Sequence, residues 1–281
     1  MREACGSIAR RQRAVAPPAA GLLAFLVLAT PAGLAGQPPV EPVGAPLPAA
    51  SVTRPFAVGE RLTYVVRVSK LGKVGRGFMA VEALEPVRGT ETYVLRFEFR
   101  TRVGFVKVVN QSESWLDPVR MATLRFHKHE RQPLSNHDEL VEMYPQQRRW
   151  EGADGTKGES PSDAPLDELS FIYFLRTLPL NVDTTYSMDR HYDAVRNPTT
   201  VRVLGRETVT TPMGEFPTVV VEMRVRDVRR YKGEGVIRFN LSDDARRLPV
   251  RIETAAPVVG KAVLLLESVS AGGGPVVVGA P

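Results

Sequence analysis

Apolar and polar residues alternate with a period of two along most of the chain. Leu62, Tyr64, Val66 and Val68 alternate with Thr63 and Arg67; Tyr93, Leu95, Phe97 and Phe99 alternate with Arg96, Glu98 and Arg100; Val219, Val221, Met223 and Val225 alternate with Glu222, Arg224 and Arg226. Successive side chains of a strand point to opposite faces, so each run predicts a strand with one wet face. Similar runs near 76–84, 106–115, 119–128, 138–144, 184–192, 199–204, 236–242, 248–254 and 261–269 predict further strands. Turn chemistry separates them: Gly72 and Gly75 sit where the first two strands must reverse, Glu85 to Gly89 breaks the next pair, and Thr211-Pro212-Met213-Gly214 suits a tight turn. One stretch departs from this period. Leu166, Leu169, Ile172 or Tyr173, and Leu175 recur at helical spacing, Ser162-Asp163 supplies a cap and Pro179 a stop, which predicts a helix over 164–178. The expected fold is all-β and mainly antiparallel, a curved sheet forming a sandwich or a partly open barrel, with that one helix covering an open end or face.

Composition sets the boundaries of this body. The chain has 281 residues, 43% hydrophobic and 24% charged, enough for one globular domain with a real core. Residues 1–35 read as a signal peptide: Arg2, Arg10, Arg11 and Arg13 precede the apolar run Gly21 to Ala29, and Gly33-Leu34-Ala35 offers a small-x-small cleavage site near Ala35. Gln37 stands where a lipoprotein would need Cys, so no lipid anchor is expected. Residues 36–55 carry six prolines and form a spacer, residues 56–270 a single β-rich domain, and residues 271–281 a flexible tail. The formal charge is +6, and removing residues 1–35 leaves 33 basic against 30 acidic residues, which gives no argument for nucleic acid. Cys5, the one cysteine, leaves with the signal peptide, so neither a disulfide framework nor a cysteine-based metal site is open to the mature chain. Charges on the wet strand faces, Arg96 and Glu98 among them, argue against a lipid-facing barrel.

Candidate chemistry is sparse, and no cofactor is called for. His127, His129 and His137 fall within eleven residues; His127 and His129 would share a strand face, and His137 could return across a hairpin to complete a metal site. Their spacing matches no closed zinc motif, and a polar strand end is the plainer reading. Asp243-Asp244 reads as a polar turn rather than an acid/base pair, no Gly-x-Ser-x-Gly or His-Glu-x-x-His motif occurs, and Gly72 to Gly77 joins two strands instead of cradling phosphate. Arg224, Arg226, Arg229, Arg230, Tyr231 and Lys232 interleave charge with an aromatic and could meet an acidic surface such as lipid headgroups or anionic glycan, although exposed strand charges explain them more simply.

The order of four local signatures resembles a known family. Phe56-Ala57-Val58-Gly59-Glu60-Arg61-Leu62-Thr63-Tyr64, Asp167-Glu168-Leu169-Ser170-Phe171-Ile172-Tyr173-Phe174-Leu175-Arg176, Thr211-Pro212-Met213-Gly214-Glu215-Phe216 and Asp243-Asp244-Ala245-Arg246-Arg247-Leu248-Pro249-Val250 together are similar to the exported bacterial family catalogued as domain of unknown function 3108. Asn240 departs from the aromatic expected before the Ser-Asp-Asp turn. The resemblance carries no activity; it implies an exported, mostly β protein of the Gram-negative envelope, expected in the periplasm. By fold analogy, a curved sheet covered by a helix resembles the periplasmic lipoprotein carriers, which hold acyl chains between sheet and helix. The leading expectation is a non-catalytic binding, carrier or chaperone-like protein for a lipid or other amphiphilic envelope ligand, with Phe97, Phe99, Tyr173 and Phe174 as lining. The alternatives are a glycan or peptidoglycan hydrolase using the histidine cluster or Asp243, and a structural or interaction protein of the envelope. Neither a transmembrane span in the mature protein nor a defined oligomeric state follows from the pattern.

Overall fold

The computed structural model describes residues 54–103, 106–132, 135–226, 234–256 and 260–270. The predicted signal peptide, most of the spacer and the tail lie outside these residues. Fourteen antiparallel strands form one sheet: β1 (Arg61–Val68), β2 (Gly72–Val87), β3 (Thr90–Val103), β4 (Val106–Asp117), β5 (Ala122–Gln132), β6 (Ser135–Tyr144), β7 (Arg149–Gly152), β8 (Lys157–Glu159), β9 (Thr185–Met188), β10 (Thr199–Thr211), β11 (Gly214–Arg226), β12 (Glu234–Ser242), β13 (Pro249–Ala256) and β14 (Gly260–Ser270). Their order is β8-β7-β6-β5-β4-β3-β2-β1-β14-β13-β12-β11-β10-β9, so two runs of hairpins meet where the first long strand pairs with the last. The sheet curves without closing, because the short strands β8 and β9 end it on either side.

Inside the curve lies α1 (Glu168–Leu175), shorter than the sequence predicts. Its cap is Asp167 rather than Ser162-Asp163: the Asp167 carboxylate accepts from the backbone N–H groups of Leu169 and Ser170, and the Ser170 hydroxyl accepts from the Asp167 N–H, a reciprocal capping box. Six of its eight residues are buried, so it carries no single apolar stripe. A helix buried nearly all round is a core element, and it packs with the inward residues Leu62, Tyr64, Leu95, Val219, Phe239 and Leu266 in one continuous cluster. The other Asp167 oxygen accepts from Ser114 on β4 and Thr123 on β5 at 2.6 and 2.8 Å, which fastens the helix N-terminus to the sheet.

Strand direction defines two ends. The connections β2–β3, β4–β5, β6–β7, β10–β11 and β12–β13 lie at the helix end; β1–β2, β3–β4, β5–β6, β11–β12 and β13–β14 lie at the far end. The β2–β3 reversal is the two-residue turn Arg88-Gly89, both with positive φ, while Glu85 to Val87 remain in the strand. The first reversal is at Ser69 to Leu71, so Gly75 lies inside β2 and not in the turn. Gly75 and Gly77 sit on the inner face, opposite Val66 and Tyr64. A Cβ at Gly75 would come 3.3 Å from the Phe99 ring, so these glycines leave the trough that the ring fills.

Candidate functional site

The floor of the curved sheet is held by one buried cation. Arg176, the residue after α1, is 2% exposed; its guanidinium donates to both Glu60 oxygens at 2.6 and 2.8 Å, to the Pro55 carbonyl at 2.7 Å and to the Arg246 carbonyl at 3.0 Å. It also lies over the rings of Phe56 and Tyr173, 5.1 and 5.6 Å from their centroids. Nearby, the Tyr64 hydroxyl donates to the Pro249 carbonyl at 3.0 Å. Burial raises the Tyr64 and Tyr173 phenols above their ordinary range, and both stay neutral. Three of the four sequence signatures, 56–64, 167–176 and 243–250, therefore converge on one spot. Their residue types are those that a buried ion pair and its carbonyl acceptors require.

Above this floor the inner surface has two characters. Across β3, β12 and β14 it is apolar. Leu95, Phe239 and Leu266 are fully buried beside α1, whereas Phe97, Ile237 and Leu264, one inward position nearer the far end, are partly exposed, as is Ile172 on the helix. Across β4 to β6 it is charged. Lys128 lies 3.3 Å from Glu130 and 3.9 Å from Glu168, Arg196 pairs with Glu168 at 2.7 Å, and Glu139 accepts from Tyr192 at 2.7 Å and meets His137 at 3.1 Å. The Asn110 amide donates to Glu130 at 3.3 Å, while its buried carbonyl oxygen has no partner among the described residues. Burial would raise Glu139, but the hydrogen bonds from His137 and Tyr192 outweigh it and hold the carboxyl below its usual range. His191 closes this wall: burial, reinforced by the Arg196 guanidinium, pulls its imidazole down to about 3, so it is neutral near pH 7 and accepts from the Asp193 N–H.

The predicted site residues divide among these places. Phe99 is buried with Val66 and Val108, and Phe97 packs between that cluster and the main core. Tyr173 is fully buried, edge-on to Phe56 at 5.0 Å, and Phe174 lies edge-on to Phe171 beneath the Arg190 guanidinium. Of the four aromatics, Phe97 is the one that is partly exposed. His127 and His129 do share a face, the outer one, where Asp138 bridges them at 3.1 and 2.7 Å and is itself held below the usual carboxylate range by those contacts. His137 points the other way, to Glu139 on the inner wall, because it pairs across the hairpin with Glu130. Among the described residues no three His, Cys, Asp or Glu side chains are grouped to hold a metal. Asp243 pairs with Arg206 and Arg247, and Asp244 with Arg246 and Ser242, so both brace a turn. Arg224 pairs with Glu222 and Glu234; Arg229, Arg230, Tyr231 and Lys232 lie outside the described residues.

The charged inner wall escapes a reading by composition, yet the alternation carries it. Lys128 and Glu130 keep the phase of Phe126, and His137 and Glu139 keep the phase of Val141 and Met143, so the charges fall on the apolar face. An inward charge among inward hydrophobes is the signal.

An antiparallel sheet wrapped around a buried helix, with a half-apolar and half-charged interior, defines a β-barrel-like protein. The chain belongs to the family described as "Protein of unknown function (DUF3108)", whose pattern matches residues 61–267. Among solved structures it is similar to a β-barrel-like protein of domain of unknown function DUF1849 from Brucella abortus, at 13% identity and a TM-score of 0.54, covering 79% of this chain and 100% of that one. It is also similar to a candidate lipoprotein from Parabacteroides distasonis, at 11% identity and a TM-score of 0.35 over 78% of this chain and 99% of that one. A third similarity is to a candidate exported protein with a YmcC-like fold from Bacteroides fragilis, at 13% identity and a TM-score of 0.32 over 79% of this chain and 100% of that one. No curated protein matches the chain. No helix among the described residues is long and apolar enough to cross a membrane.

Proposed function

We propose that this chain is an exported, non-catalytic binding or carrier protein of the bacterial envelope whose ligand is an amphiphile. One observation carries the reading: the inner surface beside α1 changes from partly exposed apolar side chains, Phe97, Ile172, Ile237 and Leu264, to a charged wall with an unpartnered buried acceptor at Asn110. An acyl chain would lie along the first and a polar head against the second. The signal-type N-terminus and the periplasmic address expected from it support the same reading.

The test is native mass spectrometry of the protein purified from the periplasm without detergent, followed by titration with a fluorescent fatty acid. A co-purifying lipid mass and saturable binding are expected, with Phe97→Glu weakening the affinity at least about tenfold by placing a charge on the apolar side. A bare protein mass together with no binding of the fatty acid overturns the proposal.

A further inference from the structure

Among the described residues, the last rungs of five far-end hairpins are predominantly positive, although Glu234 faces Arg226 and Lys261 reaches Glu253 at 2.6 Å. On the β1–β2 hairpin Arg67 stands directly opposite Lys73, with Lys70 and Leu71 at the turn; on β3–β4 Arg102 stands opposite Lys107. Arg131, Arg226 and Lys261 occupy the equivalent last two rungs of the next hairpins, and all of these cations are exposed. The one acidic residue described at those rungs and turns is Glu234, paired with Arg224. At the helix end the corresponding positions mix signs and pair them, as in Arg246 with Asp244 and Arg247 with Asp243.

Like charges directly opposite each other destabilise an antiparallel pair. The register therefore spends stability at two hairpins to concentrate positive charge on one rim, while the whole chain is only +6. Such a rim is complementary to an anionic sheet of headgroups, and the 42% exposed Leu71 between Lys70 and Lys73 is an apolar tip flanked by cations, the arrangement suited to a membrane interface. We propose that the far end docks on an anionic phospholipid surface. This placement does not depend on the interior binding a ligand.

The experiment is co-sedimentation of the full chain with vesicles of phosphatidylcholine alone or of equimolar phosphatidylcholine and phosphatidylglycerol. The parent is compared with Arg67→Gln, Lys73→Gln, Arg102→Gln, Lys107→Gln combined, and with a helix-end control, Arg120→Gln, Arg148→Gln, Lys157→Gln, Arg246→Gln. All three carry the same residues 1–35, so the contribution of that segment cancels. The parent and the control should prefer the anionic vesicles, and the far-end variant should bind them on the order of 100-fold more weakly. Relief of two like-charge pairs should leave its melting temperature at or above the parent's, which separates lost docking from lost folding. Equal binding by the far-end variant and the parent, an equal loss in the control, or no preference for anionic over neutral vesicles overturns the proposal. So does equally tight binding of soluble polyglutamate, which would make the partner an acidic macromolecule.

Discussion

Removing one member of the Arg176–Glu60 pair is the most informative perturbation of this fold. The Arg176 side chain is 0% exposed and that of Glu60 11%, so neither charge can recover its lost hydration from bulk water when its partner goes. In Glu60→Gln the guanidinium still donates to the Pro55 and Arg246 carbonyls but loses its anion. Breaking a buried pair from one side costs about 3–5 kcal/mol, because an uncompensated charge remains. For a domain of this size each kcal/mol moves the melting temperature by about 2–4 °C, so the expected loss is on the order of 10 °C. Arg176→Met should cost a similar amount from the other side. The double variant Glu60→Leu, Arg176→Met should cost far less than the single variants Glu60→Leu and Arg176→Met combined, since apolar groups of similar volume replace the whole pair. Urea unfolding followed by the fluorescence of Trp115 and Trp150 measures all four corners of the cycle. If Glu60→Gln costs less than about 1 kcal/mol, or if the double variant is additive, the pair is not the keystone of the floor.

Two further outcomes follow from the geometry. A Cβ at Gly77 would stand 2.8 Å from the Glu98 carbonyl, against 3.1 Å from the Arg100 carbonyl at Gly75; Gly77→Ala should therefore destabilise by about 1–3 kcal/mol and Gly75→Ala by less, and a thermal melt in which Gly77→Ala matches the parent would refute the close approach. His191 has its pKa lowered to about 3, so below pH 6.5 the unfolded chain binds a proton that the folded one refuses, and stability is lost as pH falls from 6.5 toward 3. His191→Gln should remove about 1.4 kcal/mol per pH unit from that slope in denaturant titrations, and parallel slopes for variant and parent would show that the imidazole does not stay neutral.

What the alternation determined is considerable. Strand positions, the antiparallel class, the inward set of β1, β3 and β11, and the turn at Pro212-Met213 all follow from local period and turn chemistry, because which face a side chain takes depends only on its neighbours in sequence. The same rule placed His127 and His129 on one face and carried, unread, the inward phase of Lys128, Glu130 and Glu139. The short strands β7 and β8 were not legible, since runs of four and three residues hold too few alternations to show a period. The helix was legible as a helix but not as a core element, because its burial depends on a sheet that curves around it. The convergence of Glu60, Arg176, Arg246 and Pro249 belongs wholly to the tertiary structure. It requires β1 to pair with β14 across almost the whole domain, and a pairing between strands so distant in sequence leaves no trace in either strand's own pattern. Which end of the sheet gathers the cations is likewise decided by strand direction and register, for Arg67, Arg102, Arg131, Arg226 and Lys261 are scattered along the chain and meet only when five hairpins point the same way.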